Sequence, residues 1–319
     1  MKVSYMKAGI FALGFFVGAI VLYFFHDNHE INFSEERFKD KYEFISPLLE
    51  CDSFESNELE SFDKEVNALA DTLMQNGTVD DISYYFRDLN NGLWVGIDEN
   101  EKFSPASLMK LPLMMSYFKE AETDPTLMDR TYVFSPLDDN YDKQNIKPEE
   151  FMEIGNSYSV QNLINRMIQY SDNSALRILF KNSTTFGYKV FDDLGIELPA
   201  NDAEENFMDV RTYSRFFRIL YNGSYLNFAN SDIALQVLSY TQYKDGIVAG
   251  VPEGVIVSHK FGERKIGEEE QLHDCGIVYY PNSPYVICIM TRGNDLTKMS
   301  QAIEEISRFT YKEVDRNFR

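Results

Sequence analysis

A serine and a lysine one helical turn apart are the first residues whose types and spacing could do chemistry. Ser107 and Lys110 occur in the segment FSPASLMK, and positions i and i+3 share one face of a helix that begins near the serine. A neutral lysine amine can take the hydroxyl proton and activate the serine as a nucleophile. Pro112 favours this placement, because proline is tolerated in the first turn of a helix. The pair predicts nucleophilic catalysis, although this spacing also arises by chance with a solvated lysine.

Two later segments carry polar residues that could face the same cleft. The segment MIQYSDNS places Ser171 and Asn173 in a polar break between two apolar helical stretches, although such residues are also typical of a helix N-cap. The β-rich segment VSHKFG places Lys260 two residues before Gly262. The lysine could bind a substrate carboxylate and the glycine would admit substrate backbone, but edge-strand lysines also protect against aggregation. Each segment alone is a weak signal.

The order and spacing of the three segments are more specific. Ser-x-x-Lys is followed about sixty residues later by Ser-Asp-Asn and about ninety residues further by Lys-x-Gly. Class A β-lactamases and penicillin-binding proteins carry their catalytic motifs in this order. From about residue 57 to the C-terminus, the chain resembles a class A β-lactamase-like serine hydrolase. The resemblance implies a two-part fold with the active site between an α/β part and a helical part.

The resemblance also implies a role for each motif residue. Ser107 would be the acylated nucleophile and Lys110 its base, while Ser171 would pass a proton to the leaving nitrogen. Asn173 would bind the substrate amide. Lys260 would bind the substrate carboxylate and support Ser171 electrostatically.

The third motif departs from the family at one position. Gly262 is followed by Glu263, whose backbone N–H would form the oxyanion hole together with that of the nucleophile. The family has a hydroxyl-bearing residue before this glycine, and the hydroxyl helps to bind the substrate carboxylate. Here that residue is Phe261. Carboxylate recognition must then depend on Lys260 and Arg264, or the substrate differs.

A second departure concerns the loop after the Ser-Asp-Asn motif. Class A β-lactamases place a Glu-x-x-Leu-Asn glutamate there, whose carboxylate activates the deacylating water. Residues 194–207 contain no such motif and run quickly into the next helix. Glu197, Glu204 and Glu205 are candidates by composition only, and we interpret them as solvated loop charges. We therefore expect slow hydrolysis of a β-lactam acyl-enzyme, with Lys110 serving both half-reactions as in the D,D-peptidases.

An apolar segment near the N-terminus predicts a membrane anchor. Residues 8–25 contain no charged side chain, and about eighteen apolar residues are close to the minimum for a spanning helix. Lys2 and Lys7 precede the segment, which places the N-terminus in the cytoplasm. A cleaved signal peptide is the alternative, but no small-x-small cleavage site follows. We expect a single-pass protein of the cell membrane with its catalytic domain outside, divided into a tail (1–7), an anchor (8–25), a stalk (26–56) and a hydrolase domain (57–319).

Hydrophobic periodicity in the hydrolase domain predicts an α+β fold. Apolar positions from Leu59 to Leu73 follow a 3-4-3-4 spacing, typical of one buried helix face. Two β-rich runs joined by Asn-Asn-Gly predict a hairpin, and further β-rich runs near the C-terminus precede a last helix. We expect an antiparallel sheet built from both chain ends and flanked by terminal helices, with an inserted all-α subdomain. The α/β part would comprise 57–115 and 250–319, and the helical part 116–249.

Composition and cysteine spacing exclude several other classes of protein. The chain has 51 Asp+Glu against 30 Lys+Arg and a formal net charge of −21, which argues against nucleic-acid binding. Its three cysteines show no metal-ligand spacing, so we expect no metal and no cofactor. A disulfide between Cys51 and Cys275 and a pair of free buried thiols both remain open. His273 and Asp274 lack the Gly-x-Ser-x-Gly element of a Ser-His-Asp hydrolase, and we interpret them as a structural pair.

Together these observations predict a membrane-anchored, extracytoplasmic serine hydrolase that acts through an acyl-enzyme on β-lactams. The missing loop glutamate favours an alternative, a D-Ala-D-Ala carboxypeptidase or peptidoglycan peptidase with slow β-lactam deacylation. A non-catalytic binding module on the same fold is a third possibility, raised by Phe261. The expected partners are a small-molecule or peptide substrate, either a β-lactam or a cell-wall peptide, and the membrane.

Overall fold

The structure is a computed structural model that describes residues 36–37, 44, 48–50, 59–183, 187–199, 205–267 and 269–317. The predicted tail and the predicted anchor at residues 8–25 lie outside the described residues, as does most of the predicted stalk. Among the residues that are described, no helix is both long and apolar enough to cross a membrane.

The five longest strands form one antiparallel sheet. In chain order the strands are β1 (Glu36–Arg37), β2 (Leu48–Glu50), β3 (Asp81–Asp88), β4 (Trp94–Ile97), β5 (Thr131–Val133), β6 (Ser157–Ser159), β7 (Val257–Ile266), β8 (Glu269–Val278) and β9 (Tyr285–Gly293). The order across the sheet is β4-β3-β9-β8-β7, while β1–β2 and β5–β6 form separate two-stranded sheets. Strands from both ends of the chain therefore meet where β3 pairs with β9, which confirms the predicted antiparallel sheet and its first hairpin.

Most of the helices occur between β4 and β7 in the chain. The α-helices are α1 (Glu60–Gln75), α2 (Lys110–Ala121), α3 (Val160–Gln169), α4 (Asn173–Asn182), α5 (Tyr188–Asp193), α6 (Val210–Tyr221), α7 (Phe228–Ser239) and α8 (Leu296–Asn317). Short 3₁₀ turns cover Ala106–Met109, Leu127–Asp129, Pro136–Asp138, Tyr141–Lys143 and Ile247–Gly250. The helices α2 to α7 make up the helical part of the fold, and α1 and α8 are the terminal helices.

The two faces of the sheet bury different side chains. In β3, Tyr84 and Phe86 pack with the terminal helices, whereas Tyr85 between them packs with the helical part. Successive side chains of a strand point to opposite faces, so this alternation places the sheet between two helical layers. The predicted apolar face of α1 is confirmed by its buried residues, which are Phe62, Val66, Ala70 and Leu73. The edge strand β7 contacts the turn that leads into α2 and also α7.

Cys275 and Cys288 form a disulfide between β8 and β9. The two cysteines are direct partners in the register of these strands, with Cα atoms 3.9 Å apart, and both are fully buried. The bridge from Cys51 to Cys275 that the sequence left open is therefore wrong, because Cys275 is already paired with Cys288. The alternative of two free buried thiols is wrong for the same reason. Cys275 is also the register partner of Lys260 in β7.

We expect reduction of the Cys275–Cys288 disulfide to lower the free energy of unfolding. The two cysteines are separated by 13 positions in the chain, and closing a loop of that length stabilises a protein by about 3 kcal/mol. Urea unfolding with and without a reductant measures the difference. The double variant Cys275→Ala/Cys288→Ala is the control, and the same reductant should leave its stability unchanged. An equal loss in the wild type and the double variant would contradict the assignment of the stabilisation to this bridge.

Candidate active site

Ser107 lies in the 3₁₀ turn that leads directly into α2. Lys110 is the first residue of the α-helix, so the predicted helix start near Ser107 is correct to within one turn. Ala106, just before the serine, has a φ of 47°. A left-handed backbone costs a residue with a side chain about 1–3 kcal/mol, and such conformations cluster at functional sites. This strained turn sets the serine hydroxyl beside the start of the helix.

The amine of Lys110 lies at the centre of the candidate site. Its Nζ is 2.9 Å from Ser107 Oγ and 3.0 Å from Ser171 Oγ. It also donates to the Ser171 carbonyl oxygen at 2.5 Å and to Asn173 Oδ1 at 2.7 Å. The side chain is almost completely buried. The first two sequence motifs thus meet at one nitrogen atom.

Burial lowers the pKa of Lys110 to about 7, because removal from water disfavours the ammonium form. The nearby charges of Asp172 and Glu263 act in the opposite direction and offset part of this shift. Near neutral pH a large share of the amine is therefore uncharged. An uncharged amine within hydrogen-bond reach of a hydroxyl can act as a general base.

Ser171 occupies the position between the two lysines. Its Oγ is 3.0 Å from Lys110 Nζ and 3.0 Å from Lys260 Nζ. Its φ is 53°, a second left-handed residue at the site. Asp172 is the N-cap of α4, and its Oδ1 accepts from the backbone N–H groups of Ser174 and Ala175. Both interpretations of this tripeptide are therefore correct. Its middle residue, Asp172, caps the helix, while Ser171 and Asn173 on either side contact Lys110.

The carboxylate of Asp172 is held by residues that the sequence analysis did not single out. Its Oδ2 lies 3.2 Å from Arg166 Nε and 3.2 Å from the hydroxyl of Tyr141. The Asp172 side chain is fully buried and that of Arg166 is 9% exposed. The signal that could have found Arg166 is its position in α3, where it is buried beside the apolar residues Leu163 and Met167. These contacts position the Ser-Asp-Asn turn.

Lys260 projects from the edge strand β7 into the same site. Its side chain is fully buried, and its Nζ donates to Ser171 Oγ at 3.0 Å and to the Phe261 carbonyl oxygen at 2.8 Å. Burial, reinforced by the charge of Lys110, lowers the pKa of Lys260 well below its usual value. Two neighbouring amines of lowered pKa therefore flank one serine hydroxyl.

Gly262 permits a close approach between β7 and the turn that carries Ser107. A Cβ atom at this position would lie 3.1 Å from Leu108 Cγ and 3.1 Å from the Pro105 carbonyl oxygen. A side chain here would push the strand away from the turn. The glycine thus brings the backbone of Glu263, the next residue, close to the backbone of the serine turn.

The backbone N–H of Glu263 points outwards from the edge of the sheet, on the side of β7 opposite β8. The His259 carbonyl oxygen accepts from Thr241 Oγ1 at 2.8 Å, outside the sheet. Backbone groups alternate sides along a strand, and β7 pairs with β8 without a register shift from Val257 to Ile266. Glu263 therefore presents its N–H to the same outer side, where an oxyanion hole would need it.

Of the candidate deacylation glutamates, Glu205 lines the same cavity as Ala106, the residue next to the nucleophile. Glu205 forms an ion pair with Arg264, with Oε2 2.7 Å from Nη2, so this arginine is engaged elsewhere. Glu197 is exposed, and Glu204 lies outside the described residues. In the part of the chain that the structure describes, no carboxylate is hydrogen-bonded to Ser107, and no group of three or more His, Cys, Asp or Glu could hold a metal ion.

His273 and Asp274 are not a pair, because adjacent residues of β8 point to opposite faces of the sheet. Asp274 instead pairs with His259, with Oδ1 2.8 Å from Nδ1, and both side chains are fully buried. His273 Nε2 lies 2.9 Å from the carbonyl oxygen of Ser104. Burial lowers the pKa of His273 to about 4, so it is neutral at physiological pH. Both histidines have structural contacts, but the expected partnership is wrong.

The candidate site is a Ser-Lys pair that lies between an antiparallel sheet and an inserted helical part. Comparison with known proteins points to a family of proteins with this arrangement. The sequence model of the Beta-lactamase enzyme family matches residues 61–314. The chain therefore belongs to this family. Among curated proteins, the sequence comparison finds no match.

Several solved structures share the fold. A mutant of PBP-A, solved as an acyl-enzyme complex with penicillin G, superimposes with a TM-score of 0.65 at 21% identity, covering 79% of this chain and 97% of that one. A class A β-lactamase from Mycobacterium abscessus gives a TM-score of 0.67 at 20% identity, covering 79% and 99%. A β-lactamase from Chitinophaga pinensis gives 0.66 at 18% identity, covering 79% and 98%. At 18–21% sequence identity, the similarity to these three structures establishes the fold alone.

We expect Arg166→Leu to destabilise the protein through Asp172. The variant leaves a fully buried carboxylate without its ion-pair partner, which costs about 3–5 kcal/mol. Thermal or urea unfolding measures the loss. Lys265→Ala is the matched control, because the Lys265–Glu270 pair is largely exposed on its lysine side and such pairs contribute less than about 1 kcal/mol. Comparable losses in the two variants would show that Arg166 does not hold Asp172 in the way described.

Proposed function

We propose that this protein is a membrane-anchored, extracytoplasmic serine hydrolase that cleaves a β-lactam or a related amide through an acyl-enzyme on Ser107. The observation that carries the proposal is the buried amine of Lys110, 2.9 Å from Ser107 Oγ, with a pKa lowered to about 7. An amine of this pKa at this distance supports the roles of base for Lys110 and nucleophile for Ser107.

In the acylation step, neutral Lys110 takes the proton of Ser107 as Oγ attacks the substrate carbonyl carbon. The oxygen of the tetrahedral intermediate receives hydrogen bonds from the backbone N–H groups of Ser107 and Glu263. Ser171 then gives its hydroxyl proton to the leaving nitrogen and regains one from Lys110, which is 3.0 Å away. The bond between the carbonyl carbon and the nitrogen breaks, and the acyl group stays on Ser107.

Asn173 and Lys260 support this step without exchanging protons with the substrate. The side-chain amide of Asn173, already in contact with Lys110, is available for the acyl-side amide of the substrate. Lys260 donates a hydrogen bond to Ser171 Oγ at 3.0 Å, which favours proton release from that hydroxyl. A site in which these groups are connected by hydrogen bonds favours an enzyme over a binding module.

The second half-reaction favours the peptidase-type candidate over a fast β-lactamase. Hydrolysis of the acyl-enzyme needs a base for the attacking water. The sequence has no Glu-x-x-Leu-Asn glutamate in residues 194–207, and Glu205, which lines a cavity with Ala106, is paired with Arg264. Lys110 is a base within reach of both steps. A D-Ala-D-Ala carboxypeptidase or peptidoglycan peptidase, in which a β-lactam acyl group leaves slowly, fits this arrangement.

The proposed location depends on the sequence and on one feature of the fold. The uncharged segment at residues 8–25 is of a length suited to a single span. The Cys275–Cys288 disulfide supports an oxidising exterior, where such bridges persist. A cell-wall peptide or a β-lactam would meet the enzyme in that compartment.

We expect a fluorescent penicillin to label the full-length protein covalently and Ser107→Ala to abolish the label. Denaturing gels after incubation in detergent measure it, and mass spectrometry of the labelled peptide locates it. Ser224→Ala, at an exposed serine after α6, is the control and should label like the wild type. A label that persists for hours supports the peptidase-type candidate, and one lost within seconds supports a β-lactamase. Folded wild-type protein without any label would refute the acyl-enzyme proposal.

We expect the labelling rate to rise with pH and to level off above about pH 7. Lys110 must be uncharged to act as the base, and its pKa is lowered to about 7, so the active fraction grows tenfold per pH unit below this value. The second-order rate constant for penicillin labelling, measured from pH 5.5 to 8.5, tests this. Lys110→Ala should label far more slowly at every pH. A flat profile in the wild type would contradict the assignment of Lys110 as the base.

A further inference from the structure

The side of the site next to Lys260 has no hydroxyl at the position before Gly262. The aromatic ring of Phe261 is buried and packs on the ring of Tyr243, with centroids 4.6 Å apart. Lys260 Nζ lies 4.1 Å from the centroid of the Phe261 ring. An aromatic ring donates no conventional hydrogen bond to an anion, so this position offers a substrate carboxylate no partner.

Lys260 itself has little capacity left for a substrate carboxylate. An ammonium group has three donors, and two of them already serve Ser171 Oγ and the Phe261 carbonyl oxygen. The Phe261 ring covers a further side of the nitrogen. Burial also lowers the pKa of Lys260, which disfavours its charged form.

Glu263, three residues along β7 from Lys260, adds a carboxylate whose charge acts on both lysines. Its Oε1 accepts from the backbone N–H groups of Asn145 and Ile146, at 2.8 Å and 3.0 Å. The side chain therefore spans from β7 to the segment between β5 and β6. Its other oxygen, Oε2, is buried and has no hydrogen-bond partner. A buried acceptor without a donor is costly, so a ligand that supplies an N–H is favoured there.

The surroundings of Glu263 also disfavour an anion. The charge of Glu263 is near enough to raise the pKa values of both Lys110 and Lys260. A cavity of about 360 Å³ is lined by Ile146, whose backbone N–H donates to Glu263, and by Leu272, the register partner of Glu263 in β8. The same cavity carries the carboxylates of Asp245 and Glu304. A substrate carboxylate brought close to Glu263 would meet a like charge.

Resting on the proposed function, we infer that Glu263 determines specificity by making the site prefer acyl donors whose leaving portion ends in a neutral N–H donor, such as a carboxamide, over those that end in a carboxylate. The Glu263 Oε2 atom accepts from the carboxamide N–H of the leaving portion. The chemistry of acyl transfer is unchanged. Within the proposed function, this preference favours a peptidase whose leaving portion ends in an amide over a D-Ala-D-Ala carboxypeptidase, whose leaving D-alanine carries a carboxylate. A penicillin, which carries a carboxylate, still acylates Ser107, but with a lower rate constant than its carboxamide counterpart.

Two thioester donors that differ only in the leaving thiol test this inference. N-acetyl-D-alanyl thioglycolate ends in a carboxylate, and N-acetyl-D-alanyl thioglycolamide ends in a carboxamide. In each, the acyl carbon forms a bond to Ser107 Oγ, the carbon–sulfur bond breaks, and the thiol leaves with the proton that the serine has lost. Water then releases N-acetyl-D-alanine. Thiol release by the full-length protein in detergent gives kcat/KM for both donors.

We expect the wild type to favour the carboxamide donor by about tenfold or more, as for a hydrogen bond to a charged group. Glu263→Gln keeps an acceptor for Asn145 and Ile146 but removes the charge, and should lower this preference about tenfold. Glu270→Gln, a carboxylate of β8 paired with Lys265, is the control and should leave the preference at the wild-type value. Penicillin labelling confirms that each variant is folded.

The outcomes separate this inference from the function on which it rests. Thiol release above the Ser107→Ala background, with equal rates for both donors or faster release from the carboxylate, overturns the inference alone. An unchanged preference in folded Glu263→Gln also overturns it. Release from neither donor, together with no penicillin label, overturns the proposed function and the inference with it.

Discussion

The buried contact between the Lys110 amine and the Ser107 hydroxyl is the interaction on which the rest of the site depends. It exists because a 3₁₀ turn leads into α2 and sets the two side chains 2.9 Å apart. Burial lowers the pKa of the lysine to about 7, which gives the proposed base a suitable strength. The sheet and the helical part provide that burial, since Lys110 lies where the two meet.

The second and third motifs maintain this environment. Ser171 and Asn173 saturate the donors of Lys110, and Lys260 holds Ser171 from the other side. The buried carboxylate of Asp172 fixes the turn from behind, through Arg166 and the start of α4. The site is therefore one connected network, in which positive and negative groups compensate each other inside the protein.

The sequence predicted the parts of this arrangement that depend on local spacing or on the family pattern. The i, i+3 spacing predicted the Ser107–Lys110 contact, and the family resemblance predicted that Ser171, Asn173 and Lys260 would converge there. Periodicity predicted the hairpin and the buried face of α1. Side-chain contacts that depend on strand register or on distant loops could not be predicted from the sequence, because no local pattern encodes them. The His259–Asp274 pair and the Cys275–Cys288 bridge belong to the first kind, and the reach of Glu263 to the loop at residues 145–146 belongs to the second.

Ala106 and Ser171, the two residues of the site with a left-handed backbone, differ in whether glycine could replace them. Glycine adopts such a backbone more easily than any other residue, so at both positions the protein has kept a side chain against its conformational preference. At Ser171 the side chain carries the hydroxyl that both lysine amines contact. At Ala106 it is a single methyl group with no polar contact to lose. Substitution by glycine would therefore be tolerated at position 106 but would remove the hydroxyl at position 171. The conformational cost at Ser171 cannot be relieved without losing that hydroxyl.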